Sequence, residues 1–376
     1  MVYLDNNSST QLDSRVLKEM IPYYTDLYAN ASSIHNFGLE IKSRVESSRQ
    51  QIASFLNCNL NDIIFTSGAT ESINVALKGY AISNRYRGNH ILTLKTEHKA
   101  VLDTCKYLEE IGFDITYLDV NFDGLIDLEV LKDNITKETI LVCIMLVNNE
   151  TGVIQPFKDI SKLVKNTSAV LFSDATQAVG KIPVDVEELE VDMLAFSAHK
   201  FHGPKGIGGL YIRNFSNNTV SIQPLHHGGG HEFNLRSGTL NVPAIIGFAK
   251  ICKIAEEEMA ENILKINDLR NYLEELILKF KGTFVNGTSD KRIHNVSNIC
   301  FSSSDIDWML SQLDDFALSN GSACTSAIMQ PSHVLTAMGL NIKNASNSIR
   351  FSLGKFNTKN DVEELYYAIS KIIEKK

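Results

Sequence analysis

Between about residue 40 and residue 215 the chain alternates short apolar runs with helical repeats, and no other feature limits its fold as tightly. The apolar runs are DIIFTS, HILTL, DITYLDV, ILVCIMLV, AVLFSDA, DMLAFSAH and GGLYIRN. Between them, EIKSRVESSRQQIASFL (40–56), ATESINVALKGYAI, AVLDTCKYLEEIG and FKDISKLVKN repeat apolar positions at helical spacing. Strands this apolar must be covered on both faces, and intervening helices do that when the sheet is parallel. A long amphipathic stretch at 243–281 reads as a helix linking this unit to a second one. Beyond it, NVSNICFS and SIRFSLG read as strands, and DIDWMLSQL and DVEELYYAISKII as helices. The expectation is an α/β fold with a large domain over 15–250 and a smaller α/β domain built from 1–14 and 251–376. With 376 residues, 44% of them apolar, the chain has core enough for both.

The net charge of −8 argues against a nucleic-acid surface, which needs clustered Lys and Arg. No apolar run approaches the roughly 18 residues of a membrane span. MVYLDNNSST lacks a basic segment followed by an apolar one, so no secretory signal is visible. Six cysteines form no CxxC pair, and with no export signal they read as free thiols in a reducing cytoplasm. Cys143 and Cys300 fall in strand-like runs and read as core. Cys324, in SNGSACTS, has neither apolar neighbours nor a second cysteine nearby.

Three stretches carry chemistry. In FTSGATESIN a strand ends, Gly68 turns the chain, and a helix begins whose N–H groups suit a phosphate, although Ser67 or Thr70 as a simple N-cap explains the same residues. In LFSDATQAVGK, Asp174 follows a strand at the sheet's C-terminal end, where open α/β sheets place ligands; a carboxylate there needs a cation unless it only caps a helix. In FSAHKFHGPKGIGGLYI, Lys200 leaves a buried strand before a Gly/Pro turn, where desolvation makes its amine usable for Schiff-base chemistry. An Asp for a pyridinium nitrogen and a Lys for an aldehyde are the protein groups that pyridoxal phosphate requires.

The chain resembles the NifS- and IscS-like cysteine desulfurases of the class V pyridoxal-phosphate-dependent aminotransferase family. YLDNNSST, TSGATESIN, TEHKAVLD, VNNETGVIQP, SDATQAVGK, SAHKFHGPKGIGGLYI, GGGHEFNLRSGT, SNGSACTS and SIRFSLG carry the likeness, in family order and over nearly the whole chain. The resemblance implies fold type I of the pyridoxal-phosphate transferases, with a mostly parallel seven-stranded sheet. It implies release of L-alanine from L-cysteine and a persulfide for an acceptor in iron–sulfur cluster assembly or in sulfuration of a thio-cofactor, tRNA or DNA.

Roles follow position by position. Lys200 would hold the cofactor and later move the Cα proton; Asp174 would pair with the ring nitrogen; His98 would stack on the ring and Gln177 would bond the ring hydroxyl. Ala69, Thr70, Ser197 and His199 would hold the phosphate, with Thr239 reaching in from the second subunit of a homodimer. Asn149 and Arg350 would bind the substrate carboxylate, a task that suits the guanidinium fork. Cys324, on a mobile loop of about 317–333, would attack the substrate sulfur and carry it to a sulfur-acceptor protein.

HEFNL before RSGT departs from the Glu-Arg-Gly pattern usual in the family and removes a basic side chain there. His226, His227 and His231 invite a zinc reading, but besides Glu232 no further ligand completes a set, so no metal is expected. The alternative activities, another class V aminotransferase or a selenocysteine lyase, share Lys200 and Asp174 but do not need Cys324.

Overall fold

A computed structural model of the chain describes residues 1–217, 220–287, 290–320 and 331–374. Its strands are β1 (Val2–Tyr3), β2 (Ile63–Thr66), β3 (His90–Leu94), β4 (Asp114–Leu118), β5 (Thr139–Cys143), β6 (Val170–Asp174), β7 (Met193–Ser197), β8 (Gly208–Ile212), β9 (Thr283–Val285), β10 (Val296–Phe301), β11 (Phe316–Ala317) and β12 (Ser348–Ser352). Seven of them form the main sheet in the order β2-β8-β7-β6-β5-β3-β4. All pairings from β7 through β4 are parallel, and β8 runs antiparallel between β7 and β2.

Every residue of β3, β5 and β7 is buried, because each strand packs on both faces. Alternation along β7 shows how: Leu194 and Phe196 enter one core, Met193 and Ala195 the other. The first core receives Ile41, Val45 and Ile52 of helix Asn36–Leu56, Ile160 and Val164 of helix Phe157–Lys165, and the N-terminal part of helix Val242–Ile277. Helices Ala69–Asn84 and Lys99–Glu110 supply the second core. Burying one Leu, Ile or Phe side chain here is worth about 1.5–3 kcal/mol.

The helix Val242–Ile277 has 36 residues, which at roughly 1.5 Å per residue lets it serve two cores. Ile245, Phe248 and Ile251 face the large sheet, while Ile266, Leu273 and Ile277 pack with Leu4, Ile299, Phe301, Ile349 and Phe351 in a third core. That third core lies on the small antiparallel sheet β12-β10-β9, covered by helix Lys359–Glu374.

Two readings of the sequence are corrected. ILVCIMLV is a regular strand only as far as Cys143; beyond it Ile144 and Leu146 N–H still donate to the β6 carbonyls of Phe172 and Asp174, while Met145 N–H donates to the Glu97 carboxyl. Helix Leu128–Asn134, N-capped by Asp127, stands between β4 and β5 where no helix was expected. β1 pairs in parallel with β11, so the N-terminus is stitched to the C-terminal region.

Candidate active site

The C-terminal ends of β2, β6 and β7 open onto a cavity of about 470 Å³, lined among others by Gly68, Ala69, Thr70, Asp174, Ser197 and Lys200. The wall after β2 is the start of helix Ala69–Asn84. Its first N–H groups and its dipole suit an anion. Gly208 of β8 lies so near Gly68 that a Cβ on it would come within 2.6 Å of the Gly68 Cα. Glu71, in the first helical turn, is turned to other partners: it accepts from Ser67 N–H at 2.6 Å and from Arg236 Nε at 2.8 Å. Burial pushes its carboxyl up, but the bonds from Arg236 and Ser67 outweigh this and hold it below the ordinary range.

Asp174 ends β6, buried, and accepts the Thr176 N–H at 2.9 Å. Thr176, also a wall residue, has a buried hydroxyl without a partner among the described residues. Ser197 ends β7, and its hydroxyl donates to the Ile207 carbonyl at 3.3 Å. His199 contacts Ser9 Oγ at 3.3 Å. Burial, followed by the charges of Lys200, Lys205 and Lys181, lowers its imidazole to about 4.

Lys200 closes the single turn Ala198–Lys200 that leaves β7. Its Nζ donates to the Asn7 and Ser8 carbonyls, each at 2.8 Å. Burial, and then Arg350, lowers its amine to about 8, with Asp174 and Asp5 opposing. Among the described residues no carboxylate is hydrogen-bonded to it, which leaves the amine available for chemistry. His98 caps helix Lys99–Glu110, its Nδ1 accepting from Ala100 N–H at 3.1 Å while its ring lines the cavity. Burial, against the charge of Asp174, lowers its imidazole as well, and its flat ring forms a wall.

Gln177 donates through Nε2 to the Asn7 carbonyl at 2.9 Å. Asn149 lines the cavity, and its buried side-chain oxygen has no partner among the described residues. Arg350, on β12, stands behind Asn149: one arm of its fork donates to the Asn149 carbonyl at 3.1 Å and the other to Asp5 at 2.6 Å. Thr239 is exposed and is not part of this cavity's lining. Cys324 lies outside the described residues; Ser319 before it pairs with the Arg350 backbone, and Ser332 after it donates to the buried Glu150.

Sequence reasoning passed over Asn7, Lys181 and Glu97, and weighed Glu232 only as a metal ligand. Asn7 is the hub of the cavity's upper side: its carbonyl receives Lys200 and Gln177, its Oδ1 receives Lys181 and Asn295, and its Nδ2 donates to Asn149. Its place in YLDNNSST was the available signal, although no local pattern gave it a role. Glu97, one residue before His98, is wholly buried; burial pushes its carboxyl well up, and its carbonyl takes a hydrogen bond with His333. Glu232, in the divergent HEFNL stretch, forms a buried two-pronged pair with Arg49 and accepts Phe65 N–H. That carboxylate is therefore committed, and among the described residues no group of three ligating side chains comes together around the neighbouring histidines.

A family model for class V aminotransferases matches residues 2–365. The chain belongs to that family. The cysteine desulfurase IscS of Glaesserella parasuis serovar 5 (strain SH0165) is 45% identical to it over 379 residues, which span 100% of this chain and 93% of the relative. A solved NifS-like protein superposes with a TM-score of 0.93 at 40% identity, covering 100% of both chains. The structure of SspA in complex with cysteine matches with a TM-score of 0.83 at 34% identity, over 95% of this chain and 100% of that one. The expected α/β architecture with its mostly parallel seven-stranded sheet is borne out.

Proposed function

We propose that the protein is a cysteine desulfurase that uses pyridoxal phosphate to move sulfur from L-cysteine onto Cys324, releasing L-alanine. One observation carries the reading: a half-buried amine lowered to about 8, Lys200, shares a cavity with the carboxylate of Asp174 and the N-terminus of a 16-residue helix. Those are an aldehyde-capturing group, a counter-charge for a ring nitrogen and a seat for a phosphate. The unpartnered Thr176 hydroxyl and Asn149 oxygen leave polar capacity that a polar ligand would satisfy.

Pyridoxal phosphate supplies an electron sink for the charge left when Cα loses its proton. The rest is done by the chain. Ala69, Thr70, Ser197 and His199 hold the phosphate, with neutral His199 acting as a hydrogen-bonding group. Asp174 would face the ring nitrogen, and His98 would cover the ring face. Arg350 and Asn149 orient the substrate carboxylate; Arg350 exchanges Asp5 for it, a swap of one charge-assisted bond for another. Lys200 would carry the Cα proton. The Cys324 thiolate then attacks the substrate sulfur: the S–S bond forms, the Cβ–S bond breaks with its electron pair going to the carbon skeleton, and protonation gives alanine.

L-Cysteine as substrate is supported by the cysteine complex of SspA, a relative in structure. The exposed Thr239 beside Arg236, which is itself tied to Glu71 at the phosphate seat, fits a homodimer whose subunits complete each other's cavities. A sulfur-acceptor protein receives the persulfide. The described cysteines are all free, which suits the cytoplasm. The test is alanine formation from L-cysteine by wild type and Cys324→Ala. Cys324-dependent alanine is expected; alanine release independent of Cys324 would move the chain to the selenocysteine-lyase class, and loss of the cysteine amino group without alanine to the aminotransferases.

A further inference from the structure

Lys181 takes no part in the chemistry above, yet it lies directly behind it. Its side chain is buried, and its Nζ donates to Asn7 Oδ1 at 2.9 Å and to Gln177 Oε1 at 2.6 Å. Lys181 and Lys200 both line a second, smaller cavity of about 50 Å³ whose wall contains no Asp or Glu. A lysine in such a place is costly: burial, and then the charges of Lys200 and Arg350, press its amine well below the lysine range. Core packing alone would be served better by methionine or leucine. The amine's two acceptors indicate its use.

Both acceptors belong to residues that face the reacting groups. Gln177 has one acceptor oxygen and two N–H hydrogens. The Asn7 carbonyl can only accept, so Nε2 must face it, and the 2.9 Å bond takes one hydrogen. The oxygen then points at Lys181, and the second Nε2 hydrogen is left for the main cavity, which Gln177 also lines. Without the lysine, a buried amide oxygen loses its donor, and the amide is drawn to turn toward whatever in the cavity can satisfy it. Asn7 Oδ1 would keep only its bond from Asn295 Nδ2, at 3.0 Å.

We propose that Lys181 is a positioning residue, clamping Gln177 and Asn7 so that Gln177 presents an N–H to the ring oxygen of pyridoxal phosphate and the Asn7 carbonyl stays against the Lys200 amine. This rests on the reading of Lys200 as the residue that holds the cofactor. A donor on the ring oxygen makes that oxygen a poorer partner for the proton shared with the Lys200 nitrogen. Losing the donor therefore raises the pH at which the proton leaves. The other titratable groups around the Lys200 nitrogen are His98, His199, Asp5, Asp174 and Arg350, and none of them is altered in the test.

The experiment is a pH titration of the visible absorption band in the resting holoprotein, without substrate, for wild type, Lys181→Met, Lys181→Gln and Asn295→Ala. In Lys181→Met the midpoint is expected to rise by about half a unit to one unit, the size of one neutral hydrogen bond. Lys181→Gln keeps a donor but no charge, and should return toward wild type; if it shifts as far as Lys181→Met, the effect is only one of lost charge and the proposal fails. Asn295→Ala loosens Asn7 without touching Gln177 and is expected near wild type; a shift equal to that of Lys181→Met would mark general loosening and also overturn it. Should Lys181→Met not fold, the comparison of Lys181→Gln with Asn295→Ala and wild type still decides, because a displaced Lys181→Gln midpoint contradicts the clamp. A wild type that binds no pyridoxal phosphate would instead defeat the functional reading.

Discussion

The two sides of the cavity are built on opposite plans. On the sheet side, Gly68–Thr70, Asp174 and Ser197–Lys200 each sit at or just past the end of one strand, and each is positioned by its own strand and turn. The other side is assembled from Asp5–Ser9, Asn149 and Arg350, joined by contacts that span 142 to 345 residues. One side is set by local geometry; the other exists only when the N-terminal segment, Asn149 and β12 are brought together. The Lys200 amine lies at the seam, leaving a sheet strand and bonded to carbonyls of the N-terminal segment.

Replacing Lys200 removes an amine that bonds from the sheet side to two carbonyls of the other side. Lys200→Ala is expected to lower alanine formation by at least about a thousandfold, the scale of a lost proton-transfer group, measured as steady-state alanine release. Arg350→Ala acts on the docked side alone. It should reduce kcat/KM for cysteine by about 10–100-fold, carried mainly by KM, as loss of charge-assisted carboxylate binding requires. A fall in kcat with KM unchanged would break the assignment.

The comparison sharpens with a stability pair. Asn7→Ala strands the bonds of Lys181, Asn295 and Asn149, and is expected to cost about 2–3 kcal/mol in denaturant unfolding. Ser67→Ala, exposed on the sheet side, should stay within about 0.5 kcal/mol. Equal costs would show that the two sides do not differ as described.

Two pH effects are smaller. The Lys200 amine, lowered to about 8, becomes neutral well before an ordinary lysine at 10.5, so cofactor capture by the cofactor-free protein should rise with pH to a midpoint near 8 and then level off. On the acid side, His199 and His202 are held to about 4 and His294 to about 3, each chiefly by burial, against 6.5 when unfolded. The unfolded chain therefore binds these protons first. Stability is expected to fall as pH drops through 6.5 and to stop falling on their account below about 3, read as the unfolding midpoint against pH.

This division also explains what could be read in the sequence. Asp174 and Lys200 were legible because a strand end and the residue after it are adjacent in the chain. The main sheet was legible because β3, β5 and β7 are buried throughout and so are apolar throughout. Asn7 was not legible as a hub, since its partners lie 142 to 345 residues away and nothing near it encodes them. Lys181 looked like one more polar residue after a strand; only the fold shows it buried without a carboxylate. Helix Leu128–Asn134 escaped because two turns hold too few apolar positions to set a period, and β1 and β11, at two residues each, are too short to alternate.

The seam itself is tested most directly by reducing the resting holoprotein with borohydride and mapping the modified peptide by mass spectrometry. The adduct is expected on Lys200 alone. An adduct on Lys205, which also lines the cavity, on Lys181 behind it, or on no lysine at all, would contradict the account.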